Sequence, residues 1–137
     1  MQRNKTVDGV EAIRKMASMS PETQQRFDMV VSAGSNEPLQ IHVGCAAIGA
    51  AIGSRRSPIS DANKKRIFDY AEYLLRFGSD QVSNAVATSM LEAIWHAALE
   101  SSFDFESVDS FLGPEARRYL VAWDDFNDRR TPGLRRP

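Results

Sequence analysis

Ser79-Asp80-Gln81-Val82-Ser83-Asn84-Ala85-Val86-Ala87-Thr88-Ser89-Met90-Leu91-Glu92-Ala93-Ile94-Trp95-His96-Ala97-Ala98-Leu99-Glu100-Ser101 sets the architecture of this chain. It opens on Ser79-Asp80, residue types that satisfy the free N–H groups of a first helical turn and suit its positive end. Val82, Val86, Met90 and Ala93 recur at three- and four-residue intervals and mark one apolar side, while Leu91, Trp95 and Leu99 mark another. Glu92, His96 and Glu100 make a narrow polar stripe. A helix that is apolar on two sides is sandwiched between neighbours, so the stretch predicts a central helix with others packed around it.

The flanking sequence supplies those neighbours. Upstream, Ile67, Tyr70, Ala71 and Leu74 predict a helix from about Ser60 to Phe77, stopped at Gly78. Downstream, Phe103-Asp104-Phe105 leads into a short helical turn with Val108, Phe111 and Leu112. Gly113-Pro114-Glu115 then opens a last helix, since proline lacks an N–H that the first turn would leave unpaired. Tyr119, Leu120, Trp123 and Phe126 are expected on its inner face, and Leu134 is expected to anchor the tail after the Thr131-Pro132-Gly133 turn. Near the start, Asp8 and Glu11 have the spacing of a capping box ahead of Val10, Ile13 and Ala17. Ser20-Pro21-Glu22 marks a second start, with Phe27, Val30 and Val31 as its apolar side, Gly34 as its stop and Ser35-Asn36-Glu37-Pro38 as a loop.

Residues 39–53 leave two readings open. Ile41 and Val43 suit a short strand, whereas Cys45-Ala46-Ala47-Ile48-Gly49-Ala50-Ala51-Ile52 favours a buried helix with a small-residue face, ending before Arg55-Arg56-Ser57-Pro58. No segment alternates β-branched and polar residues at length. The expectation is an all-α protein: one domain, residues 1–137, built as a compact bundle of about six or seven short antiparallel helices, with stacked helix hairpins as the variant.

With 137 residues, 42% of them hydrophobic, the chain is long enough to bury a core without disulfides or metal. The lone cysteine, Cys45, points to a reducing compartment. The polar opening lacks a signal-peptide core and the longest apolar stretch is too short for a bilayer, so a cytoplasmic protein without membrane contact is expected. Net charge is −1 but uneven. Residues 1–68 carry ten basic and six acidic side chains, residues 69–128 three basic and twelve acidic, and the tail 129–137 four arginines and no acid. Asymmetry of this kind bears on partners.

Glu92, His96 and Glu100 share a helix face and would form a metal site only with ligands from another helix; a solvated polar stripe is the plainer reading. Cys45, among alanines and isoleucines, reads as a packed small hydrophobe, because burial disfavours the thiolate. Gly44, Gly49 and Gly53 lack the lysine of a phosphate loop and suit close helix packing instead. Arg55, Arg56, Lys64, Lys65 and Arg66 form a basic edge without a nucleic-acid-binding signature. The expectation is therefore no enzyme, no cofactor, no metal and no direct nucleic acid. Two acidic clusters remain: Asp104, Glu106 and Asp109 at one turn, and Asp124, Asp125 and Asp128 at the end of the last helix, where the helix dipole disfavours carboxylates.

Asn84-Ala85-Val86-Ala87-Thr88-Ser89-Met90-Leu91-Glu92, Phe111-Leu112-Gly113-Pro114, Ala122-Trp123-Asp124-x-Phe126 and Thr131-Pro132-Gly133-Leu134 together resemble a family of small helical bacterial immunity proteins from toxin systems, contact-dependent growth inhibition among them. The resemblance covers residues 84–134 and implies an antidote that occludes a cognate toxin protein. Joined to the acidic region, it sets the expectation of a basic, nuclease-type toxin domain as partner. Glu92, Glu100, Asp104, Glu106, Asp109, Asp124, Asp125 and Asp128 are the candidate contact residues, acting as an electrostatic patch. A helical adaptor or regulatory module with another partner is the alternative.

Overall fold

The structure, a computed structural model, describes residues 7–31, 36–55 and 58–137. Its helices are α1 (Val10–Ala17), α2 (Pro21–Val30), α3 (Glu37–Gly53), α4 (Asp61–Phe77), α5 (Asp80–Ala85), a π-helical segment (Val86–Met90), α6 (Leu91–Leu99), a 3₁₀ segment (Phe105–Phe111) and α7 (Pro114–Phe126). Among the described residues no strand forms, and the one extended pairing is an isolated parallel bridge between Val7 and Gly78. The fold is all-α, as the apolar periodicity predicts. The expected stop at Gly34, the loop residue Ser35 and the break at Arg56-Ser57 lie outside the described residues.

Helix starts follow side-chain chemistry. Ser20, Asn36, Ser60 and Ser79 each accept a hydrogen bond from a first-turn N–H of the helix that follows. Asn36 settles the open reading of residues 39–53: its Oδ1 takes the Leu39 N–H at 2.9 Å and Pro38 sits in the first turn, so one helix runs through the candidate strand Ile41–Val43. The loop expected through Pro38 accordingly ends at Asn36.

The two remaining α-helices that open on a loop, α1 and α7, start at glycines without a local cap. The Asp8–Glu11 capping box does not form. Asp8 instead accepts the Ser79 hydroxyl at 2.6 Å, which holds its carboxyl below the usual value, and the Val10 N–H donates to Glu37 Oε2 at 3.2 Å. Glu72 of α4 does the same for α7, taking the N–H groups of Glu115 (2.9 Å) and Ala116 (3.0 Å) on its two oxygens. Gly113 is needed there because a Cβ would lie 2.3 Å from Glu72 Oε1. Caps donated across the fold are invisible to local pattern reading.

α3 is the hub, packed against α1, α2, α5, the π segment and α6. Its glycines are contact points. A Cβ on Gly44 would meet the Phe27 ring at 2.7 Å, one on Gly49 the Met90 carbonyl oxygen at 2.5 Å, and one on Gly53 the Ala97 methyl at 2.6 Å. The small-residue face thus lets backbones touch. α4 covers the other side, against α5 and α7. α3 and α4, though consecutive in the chain, share little contact.

The deciding stretch is one continuous rod, but with a π-helical insertion at Val86–Met90 that its periodicity does not announce. One residue more per turn re-registers the apolar faces, and Val82, Ala85, Val86, Ala87, Met90, Leu91, Ile94 and Trp95 are all buried. In α7 the core side is Ala116, Leu120, Val121 and Asp124. The expected inner face of Tyr119, Leu120, Trp123 and Phe126 is therefore corrected: Leu120 is buried, Trp123 half-buried, and Tyr119 and Phe126 are 41% and 84% exposed.

Candidate functional site

The eight acids expected to form one patch have different structural positions. Asp124 is buried: its Oδ1 accepts the Trp95 indole N–H (2.8 Å) and the Thr131 hydroxyl (2.6 Å), and its Oδ2 accepts the Thr131 N–H (2.9 Å). That carboxylate ties α6, α7 and the tail together and has no surface left for a partner, which corrects its assignment as a contact residue. Asp104 caps the 3₁₀ segment through the Glu106 N–H at 3.0 Å. Asp109 lies 3.0 Å from Arg117 and 3.6 Å from Arg135. Asp125 pairs with Arg136 at 2.5 Å, and that hydrogen bond holds its carboxyl below the usual range. Glu100, Glu106 and Asp128 are exposed, and their side chains make no hydrogen bond or ion pair among the described residues. Glu92 is half-buried beside His96, 3.4 Å away.

The basic tail therefore folds back on the acidic region. Leu134 and Thr131 are buried, and Arg135 and Arg136 reach the two acidic clusters. Charge segregation along the sequence is partly cancelled in space, and the premise of a bare acidic face is corrected to that extent.

What the structure brings together is apolar. Ala87 and Thr88 of the π segment and Tyr119, Ala122, Trp123 and Phe126 of α7 line a groove of about 430 Å³. The α7 residues stand at i, i+3, i+4 and i+7 and so share one helical stripe. Trp123 is backed by Trp95, with ring centroids 6.2 Å apart, and Trp95 is fixed by Asp124. Phe126 stands free at the groove's end. A phenyl ring left in water forgoes about 2 kcal/mol of burial, and grouped apolar surface of this kind marks interaction sites.

Sequence reasoning missed these residues because α7 carries two stripes. Ala116, Leu120 and Asp124 form the buried one, disguised by its aspartate, and the aromatic stripe beside it looks more like a core. The signal that separates them is the buried partner set of Asp124, which lies 29 and seven residues away.

Other chemistry is sparse. Among the described residues no three His, Cys, Asp or Glu side chains converge as a metal site, so Glu92, His96 and Glu100 gain no ligand from another helix. Cys45 is fully buried, and burial pushes its thiol far up. Lys64 and Lys65 of the basic edge pair with Asp61 (3.5 Å) and Asp69 (2.7 Å) on their own helix. No described helix is long and apolar enough to cross a membrane.

Residues 47–128 match the family model described as Domain of unknown function (DUF7674). The chain belongs to that family. The DUF7674 stretch begins within α3 and runs just past α7, so it contains every residue of the aromatic groove and Asp124, while the tail that Asp124 tethers falls outside it. No curated protein and no solved structure matches the chain.

Proposed function

We propose that this chain is a non-catalytic binding protein that receives a basic partner protein on the groove between the π segment and α7. The Tyr119–Trp123–Phe126 stripe, with Tyr119 and Phe126 exposed and Trp123 half-buried, carries the reading. Aromatic anchors in a pocket, ringed by polar residues, are the usual energetic centre of a protein interface. The basic sign of the partner rests on the resemblance. Asp125 and Asp128 flank Phe126 in the chain and share a cleft with Arg129, Arg130 and Arg136. Glu92 and Asp128 would accept a partner's lysines and arginines directly, and Asp125 by releasing Arg136.

The resemblance in residues 84–134 makes the specific form of this proposal an immunity protein that neutralises a toxin domain, nuclease-type toxins being basic because they must attract nucleic acid. The acids proposed to act are reduced to those beside the groove residues in the chain: Glu92, Asp125 and Asp128. Co-expression with the product of the adjacent gene tests the role. The antidote reading expects that product to arrest growth alone and the chain to restore it. An adjacent product that is harmless, or whose toxicity the chain leaves unchanged, favours the adaptor reading.

A further inference from the structure

On a different face, α2, the end of α3 and the region in and after α6 border a second cavity of about 540 Å³, whose charged lining includes Arg26, Arg55 and Glu100. We propose that this cavity binds a small phosphate monoester carrying a flat apolar group.

Three observations carry the assignment. The first is charge: two guanidiniums line the cavity against one carboxylate, Glu100. Arg26 makes no side-chain hydrogen bond or ion pair among the described residues, so its donors are available. Guanidinium forks match phosphate oxygens in geometry as well as in charge.

The second is preorganisation. Arg55 donates to the Ser101 carbonyl, which ties the arginine to the turn after α6. Ser101 itself holds a φ of +63°, a left-handed conformation costly for a non-glycine residue. The third is the floor. Ala50, Gly53, Ala93 and Ala97 line the space between α3 and α6, where the Gly53–Ala97 contact brings the backbones together. Methyl groups at that spacing make a shallow apolar shelf suited to a planar group.

The net charge of the lining favours one class of anion. Two arginines and Glu100 sum to +1. A phosphate monoester, near −2 at pH 7, interacts with that net charge about twice as strongly as a monovalent carboxylate does.

Phenyl phosphate is the probe. Titration into the ¹⁵N-labelled full chain at fixed ionic strength should give saturable shifts at Gly53, Ala97 and Ser102. Arg26→Gln should weaken binding at least about fivefold. Glu100→Gln should tighten it at least about threefold, an opposite sign that no loss of folding can mimic. Benzoate should bind at least about fivefold more weakly than phenyl phosphate, because it lacks the second charge. Absence of saturable binding, wild-type affinity in Arg26→Gln, or no gain in Glu100→Gln overturns the site; equal affinity for benzoate overturns the phosphate assignment. The aromatic groove and its partner are untouched by any of these outcomes.

Discussion

Replacing Asp124 by alanine should cost this protein a large share of its stability. The side chain is 3% exposed and accepts three hydrogen bonds, from Trp95 Nε1, Thr131 N and Thr131 Oγ1, at 2.6–2.9 Å. Truncation leaves the indole N–H of a buried tryptophan and the donors of a buried threonine without partners. Each such group forfeits about 1–3 kcal/mol. Water admitted by the smaller side chain recovers part of this, so a net loss of about 4 kcal/mol is expected, against a total of about 5–15 kcal/mol for a domain. Asp124→Asn separates geometry from charge. Its Oδ1 can keep Trp95 and the threonine hydroxyl, but its NH₂ then faces the Thr131 N–H, a donor against a donor, for a loss of about 2 kcal/mol. Urea unfolding followed by fluorescence of Trp95 and Trp123 measures both. A loss under about 1 kcal/mol for Asp124→Ala, or equal losses for the two variants, would show that Asp124 does not hold α6, α7 and the tail together. The same experiment distinguishes a structural Asp124 from a surface contact, whose truncation would leave stability within about 0.5 kcal/mol.

Other outcomes follow from single contacts. Gly49→Ala gains about 1 kcal/mol of helix propensity, but its methyl meets the Met90 carbonyl at 2.5 Å, where backbone cannot yield; a net loss of about 2 kcal/mol in chemical denaturation is expected. Gly113→Ala and Glu72→Ala should be strongly non-additive in a double-mutant cycle, because the added Cβ clashes with the carboxylate that the second change removes. Arg136→Gln should raise the Asp125 pKa towards its ordinary 3.8, read by carboxyl NMR titration. Since the folded pKa is the lower one, the pair stabilises the fold above the unfolded value and that contribution is lost as pH falls through the folded value. Cys45 should resist thiol reagents in the native state, with labelling that tracks unfolding in urea; rapid native labelling would contradict its burial.

The helical class was legible because periodicity reports burial directly: Val82, Val86 and Met90 face the core as their spacing predicts. Starts with a local cap, at Ser20, Ser60 and Ser79, were legible because the serine and the N–H it accepts lie three residues apart in the chain. Features made by distant residues were not. The caps of α1 and α7 come from Glu37 and Glu72 on other helices. The π segment is a register shift within an otherwise regular pattern. The acids illustrate the same limit: composition reports where carboxylates lie along the chain, whereas the tail's return to Asp109 and Asp125, and the burial of Asp124, depend on the fold. The aromatic groove escaped because Tyr119, Trp123 and Phe126, exposed or half-buried, have the spacing of a buried stripe.

The proposal that a partner seats on that stripe is tested most directly by the dissociation rate of the purified complex with the adjacent gene product. Phe126→Ala, which removes a ring already 84% exposed and so leaves folding intact, should speed dissociation about thirtyfold, the effect of losing an aromatic anchor. Glu106→Gln, at an exposed position outside the groove, should change it less than about threefold. A complex whose lifetime ignores Phe126 but shortens with Glu106 would place the contact elsewhere and contradict the account.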